Sequence, residues 1–182
     1  LARDPQADAV MRAEAWLGLG AAGRALGDSA YTQAISRAAR LARTARNPAL
    51  MAEAASLSTW PGTFFFVADN PDAALIELCE DALGLVDADD PMRVKLLATL
   101  ASHLTFASGT ERRQALIAEA HELAARHDDA ALAAVVLNAE FLCLWEPSTL
   151  ERREQIARDL GRLARAHGEP EIEYLSSFFT AY

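Results

Sequence analysis

Apolar residues recur at three- and four-residue intervals along most of this chain, in runs divided by short polar breaks, and that period predicts helices from end to end. The plainest run holds Val94, Leu96, Leu97, Leu100, Ala101 and Leu104 with few polar interruptions, as expected of a helix covered on several sides. The run after it gathers Leu116, Ile117, Ala120, Leu123 and Ala124 on one face and leaves Glu111, Arg112, Arg113, Glu119 and Glu122 elsewhere. A nearly all-apolar helix followed by a half-polar one predicts a pair whose first member lies in the inner layer.

The breaks themselves repeat. Asp4-Pro5, Asn47-Pro48, Asp90-Pro91, Asp128-Asp129 and Glu169-Pro170 each precede a long periodic run, at successive spacings of 43, 43, 38 and 41 residues. Such a period accommodates two helices and two turns. Asp or Asn can accept hydrogen bonds from the orphan N–H groups of a first turn, and Pro at the first helical position loses only a donor that had no partner. Second breaks inside each repeat give predicted helices at 6–25, 29–46, 48–58, 71–86, 90–106, 110–126, 128–145 and 148–166, with a ninth beginning at 170. The expected fold is therefore all-α: about four antiparallel hairpins and a half, stacked into a superhelix as one domain over residues 1–182. Ser108-x-x-Glu111 and Ser148-x-x-Glu151 have capping-box spacing and should open their helices.

Composition agrees. The chain has 40 Ala and 25 Leu against 11 Val and Ile together, so few side chains resist the helix at χ1. Alanines at contact positions also let helix axes approach to about 8–10 Å. A net charge of -9, from 17 Lys and Arg against 26 Asp and Glu, repels a phosphate backbone and argues against a direct nucleic-acid partner. Cys79 and Cys143 sit in apolar helical runs as small hydrophobes, which points to a reducing, cytoplasmic setting. The most apolar stretch, 130–145, contains Asn138 and Glu140 and falls short of the ~20 residues a bilayer span needs, so no membrane association is expected. A start at Leu1 without a signal-like segment and a stop at Tyr182 inside an amphipathic run suggest a piece of a larger protein.

Candidate chemistry is sparse. Gly18-Leu19-Gly20-Ala21-Ala22-Gly23 satisfies G-x-G-x-x-G, but a helical run rather than a strand precedes it, and Arg40-Leu41-Ala42 stands where an acidic ribose ligand belongs. Helix-packing glycines are the expectation. His103, His121, His127 and His167 lack metal-ligand spacing, and His127 and His167 fall near helix C-termini where a cation is favoured. No Ser or Cys has an identifiable base, and Asp89-Asp90 and Asp128-Asp129 fall in turns. Arg152, Arg153, Arg158, Arg162 and Arg165 are interleaved with Glu151, Glu154 and Asp159, as in a solvated helix face. No catalytic, cofactor or metal residues are assigned. The unusual segment is 59–70, a long turn carrying Trp60, Phe64, Phe65 and Phe66. These aromatics, with Trp145, are the candidate partner-binding residues; the alternative is that the loop packs back over the second and third hairpins.

Trp16, Leu19 and Gly20 have the W-x-x-L-G spacing of the tetratricopeptide repeat, and Ala38, Ala39 and Leu41 follow in the second helix, although Gly23 stands where that repeat has Tyr. The first hairpin thus resembles a tetratricopeptide unit, which implies a right-handed α-α solenoid. A wider resemblance rests on Leu96-Leu97-Ala98-Thr99-Leu100-Ala101, Glu111-Arg112-Arg113-Gln114-Ala115-Leu116 and the run from Leu144 through Trp145-Glu146-Pro147-Ser148 to Arg152. It includes the recurring junctions Arg46-Asn47-Pro48-Ala49-Leu50 and His127-Asp128-Asp129-Ala130-Ala131-Leu132. These are similar to the helical-repeat regions of large bacterial signal-transduction ATPases that end in a LuxR-type DNA-binding domain or carry a nucleotide-cyclase domain. The resemblance implies a non-catalytic scaffold within a transcriptional regulator. Its partner would be a protein, a peptide or a small effector on the concave face, and within the parent protein the ATPase and DNA-binding domains. The alternatives are a structural spacer between those domains and, from another class, an enzymatic groove.

Overall fold

Asn47, Asp90 and Asp129 each cap a helix with the side chain. Asn47 Oδ1 accepts from the Leu50 amide at 3.1 Å, Asp90 Oδ1 from Met92 at 2.7 Å, and Asp129 Oδ1 from Ala131 and Leu132 at 2.7 and 3.2 Å. Such a cap contributes about 1 kcal/mol. Pro48 and Pro91 occupy the first position behind two of them. The computed structural model of the protein describes residues 5–58, 73–105, 110–144, 146–168 and 170–181. Among these the helices are α1 (Pro5–Leu26), α2 (Tyr31–Ala45), α3 (Pro48–Ser56), α4 (Ala73–Leu83), α5 (Pro91–His103), α6 (Thr110–His127), α7 (Ala130–Cys143), α8 (Leu150–His167) and α9 (Pro170–Thr180). The described residues contain no strand.

Three of the junctions are built alike. Arg46, Asp128 and Gly168 take left-handed backbone angles, φ 50°, 50° and 68°, and end α2, α6 and α8. The next helix starts two residues later. A left-handed residue reverses the chain in the least space, and Gly168 adopts it without the steric penalty that Arg46 and Asp128 carry. The structure departs from the expected capping box at Ser148, which lies inside a 3-10 turn, Pro147–Thr149. The Thr149 hydroxyl donates back to the carbonyls of Leu144 and Glu146, at 3.1 and 2.7 Å, so no side chain caps α8. Pro147 explains the difference, because its fixed φ starts a tight turn before the α-helix can begin. The other expected box begins at Ser108, outside the described residues.

Packing follows chain order. Each helix lies against its sequence neighbours, and the odd-numbered helices also touch in series: α1 on α3, α3 on α5, α5 on α7 and α7 on α9. The interior of that series is apolar on several sides. Leu96, Leu97, Ala98, Leu100 and Ala101 are buried on α5, as are Val136, Leu137, Ala139 and Phe141 on α7. The even-numbered α6 is buried only along Ile117, Ala120, Leu123 and Ala124. Each fully buried Leu contributes about 2 kcal/mol by leaving water. At the first pair the helices approach through Gly20, where an added Cβ would stand 2.5 Å from Ile35 Cδ1. The G-x-G-x-x-G string is therefore interior to α1, and Gly20 is a packing residue.

While apolar packing joins the odd helices, ion pairs lace the even ones. Arg43 of α2 pairs with Asp81 of α4, and Glu80 of α4 pairs with Arg112 of α6. The last link, from α6 to α8, runs through a carboxylate of α7.

Candidate functional site

That carboxylate is Glu140. α7 is so apolar that its polar positions stand out, and Glu140 emerges on the side facing α6 and α8 with its side chain only 14% exposed. Arg152, on the first turn and a half of α8, meets it as a fork. Nε donates to Oε1 at 2.6 Å and the terminal Nη2 donates to Oε2 at 2.7 Å. From α6, His121 Nε2 lies 2.7 Å from Oε2. Burial by itself would raise the Glu140 pKa; the hydrogen bonds from His121 and Arg152 outweigh it and hold the group at about 2. The carboxylate is thus ionised at neutral pH and can only accept, so the hydrogen between it and His121 sits on the ring nitrogen. Arg152 is correspondingly pushed up by its bond to Glu140. Arg152, Arg158 and Arg162 are exposed, as expected of a solvated face; Arg158 and Arg162 pair within α8, with Glu154 and Asp159, whereas Arg152 pairs with α7.

Beside the triad a groove of about 370 Å³ runs between α6, α7 and the 147–149 turn. Ile117, Ala118, Cys143 and Leu144 form its apolar wall; Gln114, Arg113, His121, Glu140 and Glu146 bring polar groups to it. This volume is in the range of small-ligand sites, which are mostly apolar with a few convergent polar groups. Arg113 holds the floor in place, donating through Nη1 to the carbonyls of Leu104 and Thr105 at 3.2 and 3.0 Å, where α5 ends. A cation there also meets the negative end of the α5 dipole. Cys143 donates to the Ala101 carbonyl at 3.5 Å, and burial pushes its thiol pKa up, so it stays protonated.

The structure also gives Ser58 a histidine neighbour, where the sequence offered no base for any serine. Ser58 Oγ lies 2.9 Å from His103 Nε2. The Ala55 carbonyl, 2.7 Å from the same hydroxyl oxygen, competes with the histidine for the serine proton. Cys79 is buried, with its thiol pushed up to about 12 by desolvation. Among the described residues no cluster of His, Cys, Asp and Glu is arranged to hold a metal ion. No described helix is long and apolar enough to cross a membrane.

The predicted partner-binding residues Trp60, Phe64, Phe65, Phe66 and Trp145 all lie outside the described residues. Sequence reasoning missed Glu140, His121 and Arg152 as a group. The available signal was Glu140 itself, because a carboxylate inside a helix that is otherwise apolar apart from Asn138 requires a partner. Which partner depends on the packing of α6 and α8.

Comparison of the chain with protein-family models, with curated proteins and with solved structures returns no match.

Proposed function

We propose that this chain is a non-catalytic binding scaffold of the tetratricopeptide-like kind, the coupling or effector-sensing arm of a multidomain transcriptional regulator, with the groove between α6, α7 and the 147–149 turn as its recognition surface. The observation that carries the proposal is the pairing of serial helix contacts with an apolar-walled groove in which Arg152 neutralises the most buried carboxylate, Glu140. Serial stacking leaves a long surface with little closed interior, and such surfaces suit the capture of extended or small ligands. The titratable groups support adhesion over chemistry. Glu140 is locked as an ion, and the two cysteines are held as thiols.

The test is a selection of peptides from a random display library on the purified protein, followed by binding measurements with Ala118→Arg. Ala118 is exposed on the groove wall, so the arginine fills the groove without entering the core. The proposal expects enriched peptides whose affinity falls at least tenfold in the variant while the melting temperature holds. Peptides that bind the variant equally well would place recognition elsewhere.

A further inference from the structure

The charged groups of the groove's lining differ in their partners. Glu140 is neutralised by Arg152, and the Arg113 guanidinium, which keeps its charge, donates to the carbonyls that end α5. Glu146 is different. Its carboxylate is exposed at the groove, receives only a 3.5 Å hydrogen bond from Ser148 Oγ, and forms no ion pair among the described residues. Gln114, across the groove on α6, likewise has an exposed side-chain amide that none of the described residues engages. An acceptor carboxylate and an amide carbonyl at the mouth of an apolar cleft form a receptor for N–H donors on a positive centre. The whole chain reinforces the preference, since a net charge of -9 draws cations in and repels anions.

We propose that this groove binds an organic cation with an apolar body: an ammonium or guanidinium group received by Glu146 and Gln114, with the body against Ile117, Ala118 and Leu144. The inference rests on the scaffold reading above and adds the chemical class of the ligand. Either a small amphipathic amine or a basic side chain beside an apolar one in a peptide supplies that chemistry.

The experiment titrates the full chain with 3-phenylpropylamine, 3-phenylpropanol and 3-phenylpropanoate, which share a body and differ in charge, and with a capped arginyl-leucine dipeptide. Calorimetry and amide chemical shifts of α6 and α7 report binding. The amine is expected to bind at least tenfold more tightly than the alcohol or the carboxylate, with shifts at Ile117 and Ala118. Glu146→Gln should remove about a tenfold preference, the size of one charge-assisted hydrogen bond. Glu151→Gln, an equal change of net charge on the exposed start of α8, should leave binding intact. Tighter binding of the dipeptide than of the amine identifies a peptide source, and the reverse a small effector; either outcome supports the inference. Equal binding of the carboxylate, or a preference that survives Glu146→Gln, overturns the charge assignment and leaves the scaffold reading standing. If no probe binds at millimolar concentration the inference also falls, and the peptide selection decides the scaffold reading separately.

Discussion

Glu140 of α7 and Arg152 of α8 meet through two hydrogen bonds of 2.6 and 2.7 Å, one to each carboxylate oxygen. The fork fixes distance and orientation together, which a single contact does not. Removing Arg152 leaves a mostly buried carboxylate with His121 alone. Arg152→Ala is expected to destabilise the protein by about 1–3 kcal/mol in urea unfolding, moderated by the partial exposure of the arginine. Arg152→Lys should recover less than half of that, because an ammonium cannot form the fork.

The same pair sets an acid limit. Glu140 titrates at about 2 in the folded chain against an ordinary 4.5, so the unfolded chain takes up its proton first as pH falls. Its stabilising contribution is therefore complete above about 4.5 and is lost progressively toward pH 2. Thermal melts across this window should show a steeper fall in wild type than in Glu140→Gln, whose curve lacks this contribution. Parallel curves would mean that the carboxylate is not held low.

Arg46 is an exposed, non-glycine residue in left-handed conformation at the end of α2. Arg46→Gly should stabilise the chain by up to about 1 kcal/mol, since the strain relieved exceeds the added freedom of the unfolded chain. Arg46→Ala keeps the strain and should bring no gain. Denaturant midpoints compare the two directly.

Much of this architecture was legible in the sequence. The Asn47, Asp90 and Asp129 signals open helices where expected, and the six positions the periodicity singled out from Val94 to Leu104 are all buried, with Ala98 and Thr99 buried beside them. Local chemistry writes these features, since a cap or a Pro acts within one turn. The Ser148 box failed for an equally local reason, the proline beside it. The candidate site was illegible in a different sense. Its residues are 19 and 12 positions apart, His121 to Glu140 and Glu140 to Arg152, and no spacing rule links a carboxylate to partners on two other helices. Arg152 has the sequence environment of a solvated arginine and stays exposed; only the packing of α8 on α7 brings it against Glu140.

In serial stacking each helix pair leans on the next and distant pairs do not share a core. Phe141 of α7 and Phe179 of α9 stack with ring centroids 3.7 Å apart at the end of that series. Amide hydrogen exchange of wild type against Phe179→Ala, residue by residue, tests it most directly. Faster exchange is expected only in α7, α8 and α9, with α1 through α3 unchanged. Acceleration spread evenly over all the helices would contradict it, because only a single shared core transmits the loss of one terminal ring to the far end.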